Sequence, residues 1–197
     1  DMNAWKQLSG VLLLGLSVMG VAKADQLDDI QQKGVLKVAV PQDFPPFGSV
    51  GADMQPYGYD IDMAGYLAQK LNVKLELVPV TSANRIPYLQ TKKVDLVISS
   101  LGKNPEREKV IDFSHAYAPF FLGVFGADTV AVTKADELAE KTIGVTRGAV
   151  EDMELSKIAP ASTTVKRFED NNTTLSAYLS GQVDLIATGN IVVGEIA

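Results

Sequence analysis

The chain has 197 residues, a formal net charge of −6, one histidine and no cysteine. An acidic chain with 7% aromatic residues is a poor match for nucleic acid or an anionic membrane surface. The absence of cysteine rules out a disulfide framework and a lipid-carrying N-terminal cysteine, while 46% hydrophobic residues can build a real core in one or two domains.

Residues 2–24 read as a secretory signal peptide. Lys6 marks a short charged start, Leu8 to Ala22 an apolar stretch, and Ala22-Lys23-Ala24 a small-x-small cleavage site. The stretch is shorter than the roughly 20 residues of an ordinary membrane span, a retained anchor being the alternative. Asp1, ahead of the natural-looking start Met2, has no explanation in the sequence. Cleavage would leave a protein beginning at Asp25, expected in a Gram-negative periplasm. Losing Lys6, Lys23 and Asp1 would take its charge from −6 to −7.

Short apolar runs then alternate with helical patterns. The predicted order is strand Val35 to Val40, helix Asp60 to Leu71, strand Val73 to Val80, helix Asn84 to Gln90, strand Val94 to Ser99 and helix Pro105 to Lys109. After a loop from His115 to Pro119 come an extended run Phe121 to Phe125 and a helix near Lys134 to Glu140. Strand Thr142 to Thr146, helix Val150 to Ile158 and strand Thr164 to Phe168 follow. Helix Asn172 to Leu179, strand Val183 to Ala187 and a helix from Ile191 complete the order. The alternation predicts parallel βαβ units in an α/β fold.

Two features point to a site. Ser99 and Ser100 end an apolar strand, and Asn104 and Pro105 are suited to the N-cap and first position of the next helix. Arg107 then sits in that helix's first turn, where amides and a guanidinium can share a carboxylate; otherwise it ties down its loop through a nearby carboxylate. The second feature is an echo. Tyr88-Leu89 before Val94-Asp95-Leu96-Val97 resembles Tyr178-Leu179 before Val183-Asp184-Leu185-Ile186. Either a common apolar pattern recurs, or two similar lobes face each other across strand ends, where open α/β sheets bind ligands.

The motifs Asp43-Phe44-Pro45-Pro46-Phe47, Gly58-Tyr59-Asp60-Ile61-Asp62, Val94-Asp95-Leu96-Val97-Ile98-Ser99-Ser100, Pro105-Glu106-Arg107 and Asp112-Phe113-Ser114 occur in this order. With them the chain resembles the periplasmic amino-acid-binding proteins that serve ABC importers. The resemblance implies a two-lobe Venus-flytrap fold: signal peptide 1–24, lobe one 25–120 and lobe two 121–197. It also implies that Arg107 clamps a ligand α-carboxylate, that Ser99, Ser100 and Gly102 lie in the same contact loop, and that Phe44 and Tyr59 sandwich the ligand side chain. Tyr59 could instead be a core aromatic facing away. Arg85 looks like the arginine that meets a side-chain carboxylate in the glutamate/aspartate-binding branch, unless it lies on an exposed helix face.

Departures from the family pattern fall in both lobes. Pro41 stands where the acidic branch carries a further arginine, and Gly189 or Asn190 where basic amino-acid binders place an aspartate for the α-ammonium. Ala149 and Val150 replace hydroxyl residues, Arg147 could supply another anion contact, and Asn171 aligns with a lobe-two contact of the acidic branch. The expected partners are a free amino acid, with glutamate or aspartate favoured, and an inner-membrane ABC permease; a monomer without cofactor or metal is expected. Cyclohexadienyl dehydratases share the fold, and Glu151 sits where such an enzyme could place a general acid; the alternative is an ordinary first-turn glutamate. A soluble ligand sensor that docks on a receptor is the third reading. The single histidine, His115, disfavours triad and multi-histidine metal chemistry, and Asp28-Asp29 and Asp60/Asp62 read as helix ends and solvated faces. Family members also continue for several dozen residues past Ala197, so lobe two and the return to lobe one are expected to be incomplete.

Overall fold

The computed structural model describes residues 25–119, 121–130 and 132–196; the signal-peptide reading of residues 1–24 lies outside them. The first lobe opens with α1 (Gln26–Lys33), capped by the Asp25 side chain, which accepts from the Asp28 amide at 2.9 Å, and ended by left-handed Gly34. Sequence periodicity missed this helix because it buries only Ile30. Strand β1 (Val35–Val40) is the middle of a parallel sheet, ordered β5 (Lys74–Pro79), β1, β6 (Leu96–Val97). Because both faces of β1 are covered, its residues are almost continuously apolar, and Leu36, Val38, Ala39 and Val40 are fully buried.

A small antiparallel sheet of β2 (Asp43–Phe44), β3 (Gly48–Val50) and β4 (Pro56–Tyr57) interrupts the lobe. Its strands are too short to leave a periodic signal. Helix α2 (Tyr59–Leu71) lays Ala64 and Ala68 on the sheet, where small side chains permit close approach. Helices α3 (Arg85–Gln90) and α4 (Pro105–Glu108) complete the lobe. The expected strand from Val94 to Ser99 shrinks to β6 because the chain turns away at Ser100, held at a left-handed φ of 45°.

In the second lobe β7 (Leu122–Gly126) runs antiparallel to β10 (Leu185–Gly189), which pairs in parallel with β8 (Thr142–Thr146), and β8 with β9 (Thr164–Phe168). The antiparallel strand departs from the all-parallel expectation. Helices α5 (Val150–Ile158), α6 (Asn171–Leu179) and α7 (Asn190–Ile196) accompany the sheet. The helix expected near Lys134 to Glu140 is a single 3-10 turn, Ala135–Leu138; Lys134 offers no side-chain cap, and Glu140 adopts a left-handed φ of 64°.

Each lobe has its own core, one around Leu36, Val38 and Val40, the other around Ile143, Val145 and Leu185. The echo is structural. Asp95 donates its amide to the Lys37 carbonyl and accepts the Lys37 amide on its carboxylate at 2.9 Å. Asp184 does the same with Thr142, its carboxylate accepting at 3.2 Å. A paired aspartate thus locks the corresponding strand in each sheet.

Candidate ligand-binding site

A cavity of about 130 Å³ lies between the lobes, at the carboxyl ends of strands from both sheets. A cavity of comparable size, about 150 Å³, admits a benzene-sized molecule. Lobe one supplies Phe44, Arg85, Ser99, Ser100 and Arg107; lobe two supplies Ala149, Val150, Glu151 and Asn171. Pro41, Val80, Leu175, Ile186 and Val192 add apolar wall.

Both cavity arginines are buried, Arg85 to 5% exposure and Arg107 to 4%. Asn104 caps α4 by accepting the Arg107 amide at 2.8 Å, with Pro105 in the first turn as the sequence implied. The Arg107 guanidinium donates from Nη1 to the Gly102 carbonyl at 2.9 Å and from Nη2 across the cleft to the Gly148 carbonyl at 2.8 Å. Arg85 donates to the Ser82 carbonyl at 3.2 Å, the Ser99 carbonyl at 2.9 Å and Gly148 at 3.4 Å. Among the described residues neither arginine has a carboxylate within 4.0 Å. A guanidinium carries five N–H donors, so two on Arg85 and three on Arg107 remain beyond these bonds. Burial, then the neighbouring Arg107, pushes Arg85 down to about 9, so it stays charged at neutral pH; burial lowers Arg107 as well.

Glu151, in the first turn of α5, is 8% exposed and lines the same cavity. Burial raises its pKa, and its own amide and the two arginines pull the other way.

Asp60 is fully buried, contrary to its reading as part of a solvated face. One carboxylate oxygen accepts the Ser100 amide at 2.8 Å, the other the Tyr117 hydroxyl at 3.0 Å. Burial pushes it up to about 6 against both hydrogen bonds and the Arg85 charge. Spacing on α2 could not reveal this, because its partners lie 40 and 57 positions away.

Four residues singled out from the sequence lie elsewhere. Tyr59 is 46% exposed, stacks on Tyr117 with ring centres 6.0 Å apart and does not line the cavity, so the expected Phe44–Tyr59 sandwich is not formed. Phe44 stacks on Phe47 instead, at 5.8 Å. Arg147 turns outward to Glu169 at 3.0 Å. Gly102 contributes its carbonyl to Arg107 but no cavity surface, and Gly189 is buried at the end of β10 opposite Leu122.

The lobes also touch at Asp43, whose carboxylate accepts from the Asn171 side chain at 3.3 Å and the Asn172 amide at 2.9 Å. Thr146 donates to Asn171 at 2.7 Å, fixing that side chain from behind. A surface pair, Lys157 to Glu106 at 3.3 Å, joins α5 to α4. Among the described residues no group of three or more His, Asp or Glu side chains could hold a metal ion, and no helix is long and apolar enough to cross a membrane.

Residues 36–161 match the model of bacterial extracellular solute-binding proteins, family 3. The chain belongs to this family. Its two-lobe fold is the family's: a truncated, arginine-bound ArgBP from T. maritima superposes with a TM-score of 0.81 at 31% identity, covering 86% of this chain and 80% of that one. The glutamine-binding protein of Geobacillus stearothermophilus is 31% identical over 89% of this chain and 69% of its own length. The cyclohexadienyl dehydratase of Pseudomonas aeruginosa is 29% identical over 86% of this chain and 65% of its own length. The chain thus spans about two thirds of the length of these curated relatives, and the family makes it a solute-binding protein.

Proposed function

We propose that this protein is the periplasmic receptor of an ABC importer, capturing a free polar amino acid and presenting it to a membrane permease. The observation that carries the reading is the buried Arg107 at the lobe interface, which has donors to spare and no carboxylate partner among the described residues. A buried guanidinium calls for an anion, and a carboxylate matches its fork. Arg85 adds a second buried cation, which favours an acidic side chain on the ligand. Relatives that bind glutamine and arginine support the amino-acid class.

Thermal unfolding with each of the twenty amino acids tests this. A ligand at 100 times its Kd stabilises the native state by about 2.7 kcal/mol, a rise of roughly 5–11 °C. No shift with any amino acid would sink the reading. If Arg85→Ala left glutamate affinity unchanged, the acidic preference would fall while the receptor class stood.

A second reading rests on Glu151, whose buried carboxyl and raised pKa suit a general acid. Turnover of prephenate or arogenate would establish it.

A further inference from the structure

We infer that Glu151 is the counter-charge for the ligand's ammonium group, in place of the carboxylate that basic amino-acid binders carry at the position of Gly189 or Asn190. The inference rests on the receptor reading above and adds to it how an amino acid is told from a simple carboxylic acid.

Glu151 is more than nine-tenths buried and faces the cavity from lobe two. Among the described residues its carboxylate pairs with no cation within 4.0 Å. The hydrogen bond it does make is to its own backbone amide. A carboxylate so far withdrawn from water gains most from a cation in direct contact. The guanidiniums that share its cavity attract it from beyond ion-pair distance, and their remaining donors lie on lobe one with the carboxylate end of the ligand.

Among the described residues, neither of the other two carboxylates at or beside the cavity is free for the task. Asp43 is taken by Asn171 and Asn172, and Asp60 by Ser100 and Tyr117. Apart from Asp43, whose carboxylate is bridged to Asn171 and Asn172, the cavity presents two cationic groups on lobe one and one anionic group on lobe two. The complement of that pattern is a molecule with carboxylate at one end of its head group and ammonium at the other. A zwitterion bridging Arg107 and Glu151 would bridge the lobes as well.

Isothermal titration of the wild type and Glu151→Gln with matched pairs tests the assignment: L-glutamate against glutarate, L-glutamine against glutaramate, L-arginine against 5-guanidinopentanoate. Each second member lacks only the α-ammonium. The wild type should prefer the amino acid of the pair it binds. In the variant that amino acid should weaken about tenfold or more and its deaminated partner should tighten, because a negative charge has left a cationic cavity. A residue that merely supports α5 would weaken both alike. If Glu151→Gln kept the wild-type discrimination, the assignment would be overturned and the receptor reading would stand. A wild type that bound the deaminated acids but no amino acid would overturn both.

Discussion

The Arg107 guanidinium and the Gly148 carbonyl meet across the cleft at 2.8 Å, joining the anion-binding end of lobe one to the turn that opens α5 in lobe two. Arg85 reaches the same carbonyl at 3.4 Å. One backbone oxygen is thus the shared acceptor of both cavity arginines, and the relative placement of the lobes and the orientation of the charged groups depend on each other.

Arg107→Lys tests the fork. Lysine keeps the charge but cannot span Gly102 and Gly148 while also presenting paired donors to a carboxylate. Amino-acid affinity should fall tenfold or more, about 1.4 kcal/mol at least, by isothermal titration. Wild-type affinity would show that charge alone suffices there.

Gly148→Ala tests closure. Gly148 has a φ of 80°, and a Cβ there would lie 2.7 Å from Ala83 Cα in the opposite lobe. Backbone cannot yield as a flexible side chain can, so the lobes should move apart. Small-angle scattering should report a larger radius of gyration than the wild type, and ligand affinity should drop. An unchanged radius would show that the turn adjusts locally.

Asp60 predicts a pH effect of defined sign. Burial raises it from 3.8 to about 6. Below about pH 4 the folded and unfolded states both carry its proton; between there and about pH 6 only the folded state retains it. Stability conferred by this group therefore falls as pH rises through that window, by at most about 3 kcal/mol. Asp60→Asn has no such proton to lose. The stability of the wild type minus that of the variant, from urea unfolding, should decline between about pH 4 and pH 7, and a difference flat with pH would refute this.

Two interlobe contacts should differ sharply in weight. Asp43→Ala leaves the Asn172 amide and Asn171 side chain without their shared acceptor and should cost about 1–3 kcal/mol in denaturant unfolding, with weaker ligand binding. Lys157 and Glu106 are each about half exposed. An ion pair of that kind contributes between 0 and about 1 kcal/mol, so Lys157→Ala should leave stability and affinity nearly unchanged. The reverse ranking would place the closing force at the rim.

The sequence made the long elements readable because their burial shows in it, as a near-continuous apolar run in β1 and β8 and as a helical spacing in α2. The echo around Asp95 and Asp184 was also readable, since the same local chemistry is used twice. The hairpin strands from Asp43 to Tyr57 were not, because two or three residues carry no period. At the site, Arg107 announced itself through Asn104 and Pro105, local cap chemistry that survives in any context. Arg85 and Glu151 needed the resemblance to draw attention to them, since first-turn residues look alike whether they face water or a cavity. Tyr59, expected in the cleft, lies outside it, and Asp60, read as part of a solvated face, is buried, for a common reason. They are neighbours at the start of α2, and which of them turns inward is decided by Ser100 and Tyr117, far along the chain.

The carbonyls that grip Arg85 and Arg107 also limit what those side chains can do next. An arginine free in solvent samples many rotamers and surrenders that entropy when it meets a ligand. These two are held by three and two backbone oxygens, so little disorder remains to be lost. The same rigidity makes the head-group end an unforgiving template, since planar donors fixed by main chain cannot follow a carboxylate displaced by one methylene. β-Amino acids should be turned away on geometry alone, whatever side chain they bear.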